Sequence, residues 1–145
     1  MSIDTKQIII SILETNCKVL EILGQALKPY EISLQQFNVL RILRGQKGVP
    51  ANLSTVQERM VNRMSNTTRI IDKLIDKNFV QRNICEKNRR KIELFITDEG
   101  MSLLKVVDPV VDKAEKQIIQ ALRSDEQENL FFYLVSRYNN WDINV

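Results

Sequence analysis

Histidine is absent from the 145 residues. With it go Ser–His–Asp and Cys–His catalysis, histidine-ligated zinc and a histidine pH switch. Only two cysteines occur, Cys17 and Cys85. They are too few for a cysteine-based zinc site and too sparse for a disulfide scaffold. Reduced thiols are therefore expected, and with them a cytoplasmic location. Four glycines and three prolines are few for a turn-rich all-β chain. No apolar run approaches a membrane span, and Met1-Ser2-Ile3-Asp4 places an acid where a signal peptide carries cations. No membrane association is expected. There is no phosphate-cradling glycine loop and no paired-carboxylate motif, so neither an enzyme nor a metal or cofactor is expected.

Charged residues make up 27% and hydrophobic residues 43%. That is an ordinary globular composition, long enough to bury one core. The net charge of +3 conceals an asymmetry. Residues 41–91 hold thirteen Lys/Arg against four Asp/Glu, whereas residues 92–145 hold five against ten and residues 1–40 three against four. A basic middle between acidic flanks is what a nucleic-acid-binding element in a non-binding scaffold looks like. A merely solvated basic face would look the same.

The apolar periodicity predicts a helix over residues 5–28, closed by Pro29. Ile8, Ile9, Ile12, Leu13, Val19, Leu20, Ile22, Leu23, Ala26 and Leu27 fill about half its circumference. So wide a stripe suits a helix that touches its own core and a second surface, such as another chain. Ser33-Leu34-Gln35-Gln36 reads as a capping box flanked by the staple pair Ile32 and Phe37, opening a helix that runs to about Arg44. After a loop at 45–52, Ser54-Thr55-Val56-Gln57 reads as a second box opening a short helix to Met60. Asn62 is the expected N-cap of a helix over 63–77, with Met64, Thr67, Ile70, Ile71, Leu74 and Ile75 buried. A short helix, a tight turn and a longer helix give helix-turn-helix spacing.

The period then changes. Phe79–Cys85 and Lys91–Thr97 are β-rich, joined by the cationic connector Glu86-Lys87-Asn88-Arg89-Arg90. A basic-tipped hairpin directly after a helix-turn-helix is the layout of a winged helix. Thr97 is expected to cap the next helix, with Asp98 and Glu99 in its first turn. That helix is expected to kink or break at Pro109. Ser124-Asp125-Glu126-Gln127 reads as a third capping box before a last helix with Leu130, Phe131, Leu134, Val135 and Tyr138 on its apolar face.

The runs SLQQFNVLRIL, LSTVQERM, MSNTTRIIDKLIDKNFVQR and NRRKIELFITDEG, in this order, resemble the MarR family of bacterial transcription regulators. The matching features are the R-x-x-D-x-L ending of the helix-turn-helix, the T-x-x-G start of the following helix and the arginine of the D-x-R wing tip, whose Asp is replaced here. The resemblance implies a mostly α fold: a winged helix-turn-helix with long N- and C-terminal dimerisation helices. It implies a single domain over 1–145, with the DNA-binding region at 33–97 and the dimerisation region at 1–30 and 98–145. It further implies a homodimer on pseudo-palindromic double-stranded promoter DNA, usually a repressor. Many members are released by a small-molecule effector or an oxidant.

Carried over by position, Ser65, Asn66, Thr68 and Arg69 match the groove-facing part of the recognition helix, and Arg90 the wing arginine. For Arg69 the other reading is an ion pair with Asp72. The wing motif's Asp is Asn88 here, so a charged brace is lost and a neutral hydrogen bond would have to replace it. Arg89, Lys87 and Arg82 are read as phosphate contacts or solvated charges. Lys73, a turn beyond Arg69, meets backbone if it meets DNA at all. Cys17 matches in place the redox-sensing cysteine of one branch, with Tyr30 the one nearby tyrosine; the other reading is a small core residue. Cys85, on the wing strand, is read as inert. Tyr138 and Trp141 are expected at a dimer interface, with a ligand pocket as the alternative. From other functional classes, a redox regulator using Cys17 and a winged-helix protein-interaction module compete with the repressor.

Overall fold

The computed structural model describes residues 2–62 and 65–138, the last two by backbone alone. Helix α1 spans Thr5–Leu27. Asp4 caps it, accepting the Lys6 N–H while Gln7 accepts the Asp4 N–H. The helix stops one residue short of expectation, because Pro29 turns the chain into a 3₁₀ segment at Lys28–Tyr30. Glu31 follows with a left-handed φ of 55°. Helix α2 spans Leu34–Gly45, and its expected box is formed: Gln36 N–H donates to Ser33 Oγ at 3.1 Å and Ser33 N–H to Gln36 Oε1 at 2.9 Å.

Helix α3 spans Leu53–Arg59, and here the cap differs from expectation. Asn52 holds the N-cap, accepting from Thr55 N–H at 2.7 Å and Thr55 Oγ1 at 2.9 Å, so Ser54 lies inside the helix. Helix α4 is also shorter than expected, Thr67–Asp76, with Asn66 rather than Asn62 as its N-cap. Asn66 Oδ1 takes the Arg69 N–H at 3.2 Å. Met64 lies outside the described residues.

Strands β1 (Val80–Ile84) and β2 (Ile92–Ile96) pair antiparallel, Val80 opposite Ile96 and Ile84 opposite Ile92. The 45–52 loop adds a bridge of its own: Ala51 and Leu94 exchange both backbone hydrogen bonds, at 3.2 and 2.7 Å. Helix α5 spans Asp98–Ile119 and runs through Pro109 without a break. Helix α6 spans Ser124–Tyr133 and continues as a π turn to Tyr138.

The third expected box is not the one formed. Arg123 occupies the N-cap position and donates its N–H to Glu126 at 2.8 Å. Gln127 instead donates to the Leu122 carbonyl at 2.9 Å, tying α6 to the end of α5. The Arg123 guanidinium, hydrogen-bonded to Asp125, holds that carboxyl below its ordinary pKa.

One buried cluster joins Leu27, Phe37, Val39, Leu40, Leu43, Val56, Ile71, Leu74, Val80, Leu94, Leu104, Val107 and Val111. Every element from the end of α1 to the middle of α5 contributes to it. The remainder of α1 does not: Ile8, Ile9, Ile12, Leu13 and Leu20 are exposed, as are Ile119, Leu130, Phe131, Phe132, Tyr133, Leu134 and Val135. The wide stripe expected on α1 thus reaches its own core only near its C-terminal end.

The start of α5 is pinned at one point. Thr97 N–H donates to the Phe79 carbonyl at 3.1 Å, Thr97 Oγ1 to the Asn78 carbonyl at 2.7 Å, and Gly100 N–H to Thr97 Oγ1 at 3.0 Å. A Cβ on residue 100 would lie 2.4 Å from the Phe79 oxygen and 2.8 Å from Ile96 Cγ1. Overpacking against backbone is the costly kind, because a carbonyl engaged in a hydrogen bond cannot swing away like a side-chain tip. Gly100→Ala is therefore expected to cost about 1–3 kcal/mol in urea unfolding. An unchanged midpoint would mean that the junction yields freely.

Candidate nucleic-acid interface

Four of the residues expected to face DNA lie at or beside the exposed N-terminal end of α4. Ser65 is half-buried just ahead of the helix, Asn66 is the cap, and Thr68 and Arg69 are exposed in the first turn. Asn66 and Arg69 therefore stand on the axis end of the helix, not one turn inside it. This follows from the later start of α4. Thr67 faces inward, 4% exposed, and its hydroxyl donates to the Ser65 carbonyl at 3.3 Å.

Capping commits Asn66 Oδ1 to the Arg69 N–H, and the amide NH₂ of Asn66 remains as a donor. The free amides of a first turn and the positive end of the helix dipole face the same way, an arrangement that attracts phosphate.

Sequence reasoning missed the second wall of this region. Ser65, Asn66, Arg69 and Lys73 line an open cleft of about 720 Å³ whose other side is Ser33, Gln35 and Gln36 at the start of α2. The signal was present in the Ser33 capping box, because a box that starts a helix also fixes where its N-terminus emerges.

The charges sort into used and unused. Asp72 pairs with Arg82 of β1, so the Arg69–Asp72 pair is not formed, and Arg82 straps the wing to the recognition helix instead of meeting solvent alone. Lys77 donates to the Glu31 carbonyl and is likewise engaged. Among the described residues the guanidinium groups of Arg69, Arg89 and Arg90 make no ion pair. Arg89 and Arg90 are exposed at the hairpin tip, alongside Lys87.

Asn88 does supply the neutral bond, but to the main chain: Oδ1 accepts the Arg90 N–H at 3.1 Å, and the Asn88 carbonyl accepts the Lys91 N–H at 2.8 Å. The turn at the tip is thereby held while the Arg90 side chain is left unbraced.

The remaining candidates fall elsewhere. Cys17 is exposed on α1, not part of the core of its own chain, and Lys18 beside it is paired with Glu21 at 3.0 Å. Cys85 is half-buried at the end of the wing strand. The Tyr138 side chain and Trp141 lie outside the described residues. No group of three or more potential metal ligands occurs among the described residues. No helix there is long and apolar enough to cross a membrane.

The MarR family model matches residues 32–92, the stretch from the start of α2 to the first residue of β2. The regulator PecS of Dickeya dadantii is 30% identical over 112 residues, covering 74% of this chain and 66% of PecS.

The chain belongs to the MarR family.

It spans just under two thirds of that relative's length. Among solved structures, Bordetella bronchiseptica BpsR superposes with a TM-score of 0.83 at 18% identity, covering 98% of this chain and 99% of BpsR; 6-hydroxynicotinic acid regulates DNA binding by that protein. A mutant of Escherichia coli MarR complexed with operator DNA gives 0.79 at 22% identity, covering 92% and 98% of the two chains. The winged-helix fold is common to all three chains.

The cap makes a testable separation. Asn66→Ala removes the acceptor for the first-turn amide and is expected to cost about 1 kcal/mol of stability, whereas Asn66→Asp keeps an equally good cap and should be near neutral. Urea unfolding of both variants decides it; equal losses would mean that residue 66 does not cap in solution.

Proposed function

We propose that this MarR-family protein is a DNA-binding transcriptional regulator, a homodimeric repressor that reads pseudo-palindromic promoter DNA and is released by a small-molecule effector. The observation that carries the reading is the set of unpaired arginines at two separate prominences, the start of α4 and the wing tip, within the segment of strong positive charge. In this reading residues 33–97 form the DNA-binding region, and residues 1–30 with 98–145 the dimerisation region.

Ser65, Asn66 and Arg69 meet base edges in the major groove, and Thr68 meets the backbone beside them. Arg90 enters the minor groove, where a narrow groove's potential favours a cation. Arg89 contacts phosphate. The operator complex of the E. coli relative and the effector control of the Bordetella relative support this reading by analogy of fold. The exposed apolar residues of α1 and α6 support the dimer, because contiguous apolar surface of that extent is rarely left to water.

A salt series on DNA selected by the protein tests the reading. Wild-type affinity should fall steeply with salt, since each neutralised phosphate releases a counterion. Arg69→Ala should lose about 1–3 kcal/mol on the selected sequence and far less on random duplex, the signature of a bidentate guanine contact. Equal losses on both, with a salt slope shallower by about one, would assign Arg69 to phosphate. Flat binding in every case would sink the DNA-binding role.

The dimer is tested separately. Light scattering at micromolar concentration should give about twice the 16.9 kDa chain mass, with the obligate class of interface burying more than about 2,000 Å² in total. A well-folded monomer would overturn it.

A further inference from the structure

Arg44 lies in the last turn of α2 and Asp108 midway along α5, 64 residues apart. Arg44 Nη1 donates to Asp108 Oδ2 at 2.5 Å and Nη2 to Oδ1 at 3.4 Å. The two side chains are 33% and 32% exposed, which makes this the most sheltered ion pair among the described residues. It is two-pronged, and so it fixes orientation as well as distance. It also joins the body that carries the recognition helix to the helix that leads out of that body.

Its position along α5 matters. Asp108 directly precedes Pro109. Proline has no N–H, so the Lys105 carbonyl lacks its helical donor, and the ladder is weakest at that turn. Upstream of it, Leu104 and Val107 are buried in the core shared with α2. Downstream, Val111 is the last residue of α5 in that core, and beyond it the helix runs on to Ile119 and into α6, whose apolar residues are exposed. Arg44 therefore grips the last residue before the point where α5 bends most easily. The stretch of α5 from Asp112 to Ile119 makes a lever of about 12 Å. A tilt of about 10° there moves its far end by about 2 Å, more than half the rise of about 3.4 Å per base pair.

We propose that the Arg44–Asp108 pair is a positioning strut for DNA binding: it fixes the angle between the winged-helix body and the outer half of α5, and so the distance between the two recognition helices of the dimer. The inference rests on the dimeric DNA-binding reading above. Neither residue touches DNA. Both act through the placement of α4, and what they set is the spacing of half-sites that the dimer accepts, not the affinity of one half-site.

The experiment starts from duplex DNA enriched from a random library by the wild-type protein. Probes are built with the enriched half-sites at their selected separation, with one base pair added or removed between them, and with a single half-site. Affinities are measured for the wild type, Asp108→Asn, Arg44→Lys and the charge-exchanged double variant Arg44→Asp/Asp108→Arg. Asp108→Asn is expected to lose about fivefold or more of the preference for the selected spacing, with single half-site affinity unchanged. Arg44→Lys, which keeps the charge but not the two-pronged geometry, should fall between it and the wild type, and the charge exchange should recover part of the preference. Arg44→Lys also keeps the test open if Asp108→Asn does not fold. A preference that stays at the wild-type value, or that falls only in step with single half-site affinity, overturns the strut while leaving the regulator reading intact. Failure of the wild type to enrich any duplex overturns both.

Discussion

The winged-helix body depends on one close backbone approach, that of Gly100 to the carbonyl of Phe79. The same carbonyl accepts the Thr97 N–H, and the Thr97 hydroxyl donates to Asn78 while capping α5. The end of α4, the start of β1, the end of β2 and the start of α5 thus meet within a few residues. Only glycine fits at the contact, since a Cβ would sit 2.4 Å from the oxygen. The wing is anchored at this base and again at mid-length by the Arg82–Asp72 strap. Beyond that, its tip relies on the turn that Asn88 closes onto its own main chain. Rigidity therefore decreases from the junction outward, and the exposed arginines stand at the less constrained end.

The thirteen cations of the basic segment are not equivalent. Arg44, Lys77 and Arg82 are turned inward to hold α2 to α5, α4 to the turn after α1, and β1 to α4. Half-exposed pairs of this kind contribute little to global stability. Their consequence is geometric, because each joins two elements that the hydrophobic cluster alone would let slide. Among the described residues, the arginines left without acidic partners are Arg41 on α2, Arg59 on α3, Arg69 on α4 and Arg89 and Arg90 at the wing tip. A simple count of charge thus overstates the surface field and understates how specifically it is placed.

The layout was legible in the sequence wherever a signal extended over several turns. The 3.6-residue periodicity of α1 and α2 and the switch to alternation at residue 92 placed elements within a residue or two of those observed. The Ser33 and Thr97 caps were found because nothing nearby competes with them. Three other caps were misplaced for a common reason. Asn52, Asn66 and Arg123 each lie within a few residues of another plausible start, and a difference of about 1 kcal/mol or less separates such alternatives. Only the packing of the following helix selects among them. The error at α4 mattered most, since moving the cap from Asn62 to Asn66 turns two presumed first-turn residues into a cap and its approach. The Ala51–Leu94 bridge was beyond reach, because one residue shows no period. Ion pairs across 64 residues, and the choice of Arg82 over Arg69 as the partner of Asp72, depend on tertiary distances that spacing does not encode. Pro109 was expected to kink or break α5, and the break does not occur: one lost hydrogen bond is outweighed where Leu104, Val107 and Val111 on either side are buried together.

Charge and hydrophobicity divide the molecule along the same line. Most of the exposed large apolar residues belong to α1, the end of α5, α6 and the turn after it, in segments that carry more acids than bases; Val49, Leu53, Val61, Ile84 and Ile92 are scattered over the winged-helix segment between them, to which the unpaired arginines belong. An acidic flank repels phosphate and so discourages nucleic acid from settling on the apolar surface. A basic face offers little to a second apolar helix. The two surfaces therefore select different kinds of partner, and the proposed dimer contact and the proposed DNA contact do not compete for the same residues. What links them is the covalent path through α5, gripped by Arg44 at Asp108 and weakest at Pro109. Any event on the apolar side that tilts α5 has to work against that grip before it reaches α4. The separation of the surfaces makes their coupling depend on a few contacts at one turn of helix.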